Sequence, residues 1–137
     1  MLKEKVDKLV DKYLDEVISI RRHIHQNPEL SLKEFETSKF VANELRKIGL
    51  EAQEGVGKTG VVSNLNLGKG EKTLMLRADM DALPIQEETG LPFSSKNPGV
   101  MHACGHDIHT SILLGVTKVL NEIKDEINGN VKFVFQP

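Results

Sequence analysis

A single cysteine, Cys104, rules out an internal disulfide and leaves one thiol free for metal binding or chemistry. Long apolar runs are missing too, and nothing approaches the roughly 20 residues of a membrane span. The opening Met1-Leu2-Lys3-Glu4-Lys5-Val6-Asp7 carries acids and bases where a secretory signal would need apolar residues. The expectation is a reduced, cytoplasmic, soluble protein. Neither charge sign is in excess: 18 Lys and Arg stand against 20 Asp and Glu, for a net charge of −2. No field therefore favours nucleic acid or an anionic membrane as partner. Internal repeats and low-complexity tracts are also absent.

What is present is ordinary for a globular domain. Of the 137 residues, 39% are hydrophobic and 28% charged, enough for one real core. Val6, Leu9, Val10, Tyr13, Leu14, Val17 and Ile18 recur at helical spacing, predicting an amphipathic helix from about residue 3 to about residue 25. Pro28 stops it. A second helix is expected from Ser31, with Glu34 completing a capping box, Phe35, Val41, Leu45 and Ile48 on one face, and Gly49 as its left-handed end. Residues 61–67 alternate like a half-exposed or edge strand, whereas Leu74-Met75-Leu76 reads as a strand buried on both faces.

Residues 81–102 hold three prolines and two glycines and read as an ordered loop. A third helix begins near Asp107, with Ile108, Ile112, Val116, Val119, Ile123 and Ile127 as its buried stripe, and Val131 to Phe135 forms another buried strand. Strand, long loop, helix and strand make a βαβ unit. The expected fold is α/β, with a largely parallel central sheet flanked by helices.

Residues 101–110, Met-His-Ala-Cys-Gly-His-Asp-Ile-His-Thr, gather the lone cysteine and three of the five histidines. Cys104 and His106 flank one glycine, so a thiolate and an imidazole can converge on one transition-metal ion. His109, one turn beyond His106, could line the pocket, and Asp107 could orient a ligand or cap the helix. Local chemistry leaves two other readings open. Cys104 can be a small buried hydrophobe among structural histidines, or a nucleophile activated by histidine. Asp79 and Asp81 leave the strand end pointing the same way, with Met80 opposed, which suits support of metal ligands. Equally, one of them could cap a turn while the other pairs with Arg77. Arg21-Arg22-His23-Ile24-His25 complements the dipole at a helix C-terminus.

Three motifs tie these residues together: Arg22-His-Ile-His-Gln-Asn-Pro-Glu-Leu with Glu34 and Thr37; Arg77-Ala-Asp-Met-Asp-Ala-Leu-Pro-Ile with Glu88-Thr-Gly-Leu-Pro-Phe; and the 101–110 run. In this order, and closed by Phe135-Gln-Pro, they resemble the M20 metallopeptidase family. The likeness is strongest to the amidohydrolase branch of aminoacylase-like, hippurate hydrolase-like and auxin-conjugate hydrolase-like enzymes. The resemblance implies a zinc-exopeptidase-like catalytic domain, of which residues 1–137 are the N-terminal portion.

It further implies two divalent transition-metal ions (Zn, Mn, Co or Ni) in the intact enzyme, with Cys104 and His106 as metal ligands. Asp79 matches the strand-end catalytic aspartate behind them, and Asp81 is the close runner-up. The implied substrate is a small N-acyl amino acid, cleaved at its amide bond. The family's paired glutamates follow Gln-Pro, so the expectation is a chain inactive alone. It would be completed by a C-terminal half or belong to a homo-oligomer. The rival expectations are a non-catalytic remnant serving as a binding module, and one half of a split enzyme.

Overall fold

The computed structural model describes residues 1–68 and 70–137. In chain order the elements are α1 (Leu2–Gln26), α2 (Phe35–Lys47), β1 (Gln53–Val56), β2 (Gly60–Leu65), β3 (Thr73–Asp79), α3 (His106–Glu122) and β4 (Asn130–Gln136), with a 3-10 turn at Lys124–Glu126. The sheet order is β1-β2-β4-β3. β3 and β4 pair in parallel across the crossover through α3, which is the expected βαβ unit. β2 pairs antiparallel with β4, and β1 antiparallel with β2. The sheet is therefore mixed, because the short link between β1 and β2 can only reverse the chain. Its glycine, Gly57, and Lys58 both take positive φ, at 59° and 89°.

Phe133 and Phe135 on β4 are fully buried at the centre, packed with Val61 and Leu65 of β2, Val41 and Leu45 of α2, Leu114 of α3 and Ile24 of α1. β4 is central in the described sheet, which is why its apolar alternation is buried so completely. α1 lies against α3 at close range: a Cβ on Gly115 would come within 2.8 Å of Val17 Cγ2. That spacing explains a glycine inside an otherwise regular helix.

Several local expectations give way. β3 is not covered on both faces: Leu74 and Met75 are 61% and 60% exposed, because β3 has a sheet neighbour only on its β4 side among the described residues. α2 starts at Phe35 rather than Ser31, and its N-cap Glu34 makes no side-chain cap bond. The free amides are met by Glu29, whose carboxylate accepts from the backbone N–H of Glu36 and Thr37 and from the Thr37 hydroxyl. Glu34 turns inward instead and accepts from Thr59 Oγ1 at 3.2 Å. Phe35 is exposed.

The end of α2 follows expectation. Gly49 at φ 84° lets its own N–H reach the Arg46 carbonyl while the Leu50 N–H reaches Leu45. On α3, Ile108 and Ile112 face solvent, and the buried side is carried by Thr110, Leu113, Leu114 and Thr117.

Candidate metal centre

The carboxyl end of β3 and the first turn of α3 meet because β3 and α3 are consecutive arms of the crossover. Strand alternation continues past the last β3 residue: Ala78, Met80 and Ala82 are buried, at 4%, 0% and 3% exposure. Asp79 and Asp81 therefore face the other way, towards α3. The strand end is held in place by two bonds. Met80 N–H donates to the Gln136 carbonyl, and Thr110 Oγ1 on α3 donates to the Asp79 carbonyl at 2.8 Å.

α3 opens on Gly105, whose left-handed backbone (φ 90°, ψ 12°) turns the chain from the loop into the helix. This places His106, Asp107 and His109 in the first turn. His106 Nδ1 lies 2.9 Å from both Asp81 Oδ1 and the Asp81 carbonyl. Both partners accept, so Nδ1 carries a proton, and Nε2 is the nitrogen turned towards the cluster. Nε2 faces Asp79 Oδ2 at 3.3 Å, and His109 Nδ1 lies 2.7 Å from Asp79 Oδ1. The two imidazoles stack with ring centroids 5.5 Å apart. One ligand atom each from Asp79, His106 and His109 falls within 4.8 Å of the others.

Burial favours the protonated form of Asp79. The His109 hydrogen bond and the His106 charge outweigh it and hold the carboxyl below its usual range.

Each residue singled out in the sequence can now be placed. His106 is at the centre. Asp79 and Asp81 both reach it, Asp81 at the ring nitrogen away from the cluster and Asp79 across Nε2. His109 does more than line the site, since it contacts Asp79 directly. Cys104 stands at the exposed end of the loop, two residues before His106, and is not one of the three clustered ligands. His102 is buried in the same loop, and burial lowers its imidazole to about 4, keeping it neutral.

Asp107 is not the helix cap. Its carboxylate is 1% exposed and accepts from Arg21 Nε and His25 Nδ1, at 2.9 and 2.8 Å. Glu87, which nothing in its local sequence marked, closes this second cluster through His25 Nε2. A periodicity argument could not find it, because its partner lies 62 positions away.

The donor chemistry suits a transition-metal ion. One carboxylate and two imidazoles converge, and such a set takes zinc, manganese, cobalt or nickel rather than calcium. His106 also has the carboxylate partner behind it that fixes a ligand's tautomer.

Residues 75–137 match the model of peptidase family M20/M25/M40. Over an alignment of 137 positions the chain is 53% identical to thermostable carboxypeptidase 2 of Saccharolobus solfataricus, covering 99% of this chain and 35% of that protein. It is 47% identical to an N-acyl-L-amino acid amidohydrolase of Geobacillus stearothermophilus, covering 99% and 37% respectively. A crystal structure of a Bacillus subtilis protein, described as a dinuclear metal-binding peptidase from the M20 family, superposes with a TM-score of 0.88 at 42% identity. That match covers 93% of this chain and 36% of the other. The chain thus spans about a third of the length of the relatives it matches. No helix among the described residues is long and apolar enough to cross a membrane. Agreement in sequence along the chain and in backbone across the site leads to one assignment: this chain belongs to the M20 family of metallopeptidases and amidohydrolases.

Proposed function

We propose that this chain carries part of the metal centre of a hydrolase that cleaves the amide bond of N-acyl amino acids. Residues 1–137 would be the N-terminal portion of its catalytic domain. The observation that carries the reading is the meeting of His106 Nε2 with Asp79 Oδ2 at 3.3 Å, beside His109 on the same carboxylate. An imidazole nitrogen and a carboxylate oxygen at this distance call for a proton or a metal cation between them. The names of the relatives support the reaction class, since a carboxypeptidase and an N-acyl-amino acid amidohydrolase both cleave amides. The dinuclear description of the superposed B. subtilis protein supports two ions.

In this reading Cys104 and His106 hold metal, with Asp79 and His109 in reach of the same ion. Bound divalent ions would supply Lewis acidity towards the amide carbonyl and the attacking water. The protein's own contribution is orientation. Asp81 fixes the His106 ring through Nδ1, and the Thr110 hydroxyl holds the Asp79 backbone in place. Asp79 and Asp81 are both engaged by histidines, which leaves neither free to take the water's proton. The 137 residues alone should therefore turn substrate over at background. A missing general base alone typically removes a factor of about 10²–10⁴.

A chimera provides the test. Residues 1–137 replace the matching third of the Geobacillus amidohydrolase, and hydrolysis of N-acetyl and N-benzoyl amino acids is followed with zinc, manganese, cobalt or nickel. The chimera should be active, its His106→Ala form should lose at least about 10²-fold, and the chain alone should be inert. Full activity of the His106→Ala chimera, or brisk turnover by the chain alone, would refute the proposal.

A further inference from the structure

Behind the metal-binding face lies a second cluster of charged side chains. Asp107 follows His106 directly, yet its carboxylate points into the protein, towards the end of α1. Arg21 Nε and His25 Nδ1 both donate to its Oδ2. The other nitrogen of His25 lies 3.0 and 3.1 Å from the two carboxylate oxygens of Glu87. The side chains of His25, Glu87 and Asp107 are only 3%, 2% and 1% exposed.

Carboxylate oxygens accept and do not donate, so both His25 ring nitrogens donate and the ring is cationic in this arrangement. Arg21, which is 29% exposed, and His25 then balance Asp107 and Glu87 charge for charge, which is what allows the two carboxylates to sit out of water. Glu87 is tied in turn to its own loop by the Ser95 N–H at 2.8 Å and by the Thr89 hydroxyl. Further bonds run along the same seam: Lys96 N–H reaches the Gln26 carbonyl, and Ala82 N–H reaches Glu29. The guanidinium groups of Arg21 and Arg22 each sit 5.0 Å from the Phe93 ring centre.

The residues joined here share one property. Asp107 fixes the first turn of α3, which carries His106 and His109. Glu87 fixes the loop that leaves Asp81 and arrives at Cys104. We infer that His25 is a positioning residue for the metal centre: by bridging Asp107 and Glu87 it sets the first turn of α3 against the strand end, so that His106 meets Asp81 and Asp79. His25 touches neither metal nor substrate. The inference rests on the reading of His106 as a metal-binding residue.

The experiment uses the 137-residue chain as wild type, His25→Ala, His25→Gln, and Arg46→Ala as a remote surface control. ¹⁵N-histidine NMR of the metal-free chain reports the His106 Nδ1–H that faces Asp81. Zinc affinity is measured by chelator competition, and folding by circular dichroism. The expected result is a folded His25→Ala with zinc affinity reduced about 10- to 100-fold and an altered His106 Nδ1–H signal. His25→Gln, which keeps a donor for Asp107, should recover part of both, and Arg46→Ala should match wild type.

Wild-type affinity with an unchanged His106 signal in folded His25 variants overturns the inference. So does loss of cooperative folding in both His25 variants, which would make the residue a general support of the fold. If the wild-type chain binds no zinc through His106, the metal-centre reading fails separately, and the NMR arm still decides whether His25 sets the His106–Asp81 contact.

Discussion

His106 Nδ1 lies 2.9 Å from Asp81 Oδ1, and this contact turns the opposite nitrogen of the ring towards Asp79. The two carboxylates are therefore inequivalent although they leave the same strand on the same side. Asp81→Ala should loosen the ring and weaken metal binding about 10- to 100-fold, as loss of a ligand's supporting partner does. Asp79→Ala should cost more, because it removes a carboxylate from the cluster itself. Competition with a chromophoric chelator measures both, and wild-type affinity in Asp79→Ala would remove that residue from the centre.

Cys104 is exposed, so its thiol should react readily with a disulfide reagent in the metal-free chain. Metal held through the sulfur should slow that reaction, and the cobalt form should show thiolate-to-metal charge transfer. Cys104→Ser should abolish the charge-transfer band while the weaker d–d bands from the nitrogen and oxygen ligands persist. A cobalt form without the sulfur band would exclude the thiol from the centre.

Glu87 gives the fold an acid limb. Burial alone would raise its carboxyl, but bonds from Thr89, Ser95 and His25 together with the His25 charge bring it from 4.5 to about 2. A folded-state value below the unfolded one means that its stabilisation is complete above about pH 4.5 and is lost as pH falls towards 2. The melting temperature should decline across that window. Glu87→Gln should start lower at neutral pH and show a flatter decline, and identical acid limbs in the two proteins would contradict this assignment.

Burial separates two apolar residues on neighbouring strands. Phe133 is fully buried on β4, and Phe133→Ala should cost roughly 3–5 kcal/mol. Leu74 on β3 is 61% exposed, so Leu74→Ser should stay within about 0.5 kcal/mol. Urea melts of the 137-residue chain test the pair, and a large loss in Leu74→Ser would show that its side chain is covered.

Much of this architecture was legible because local pattern and burial coincide. α1 and β4 lie close to where periodicity places them, and Gly49 ends α2 through its positive φ. β1 was invisible: Gln53-Glu54-Gly55-Val56 neither alternates nor runs apolar, and it forms only because β2 offers a partner. Of the stripe drawn along α3, Val119 and Ile123 are buried, and only Ile108 and Ile112 at its start miss the buried side. That side includes Thr110, Ser111 and Thr117, whose hydroxyls bond to backbone carbonyls and so need no water.

At the cluster, short-range spacing brought out His106 and the aspartate pair, while Cys104 stays outside the three gathered ligands. Spacing could not bring out the pairing of His25 with Asp107 or Glu87. Those partners are 82 and 62 positions away, and only the folded chain sets them side by side.

Gly105 separates the exposed sulfur from the first helical turn at φ 90°, yet nothing lies within 4 Å of where its Cβ would point. The demand at this residue is thus one of handedness, with room to spare. An L-alanine there would resist the required dihedral by about 1–2 kcal/mol, whereas a D-alanine placed by chemical synthesis would adopt it without strain. The approach to the first turn of α3 is, in this sense, built for a mirror-image amino acid, and glycine is the nearest thing the genetic code supplies.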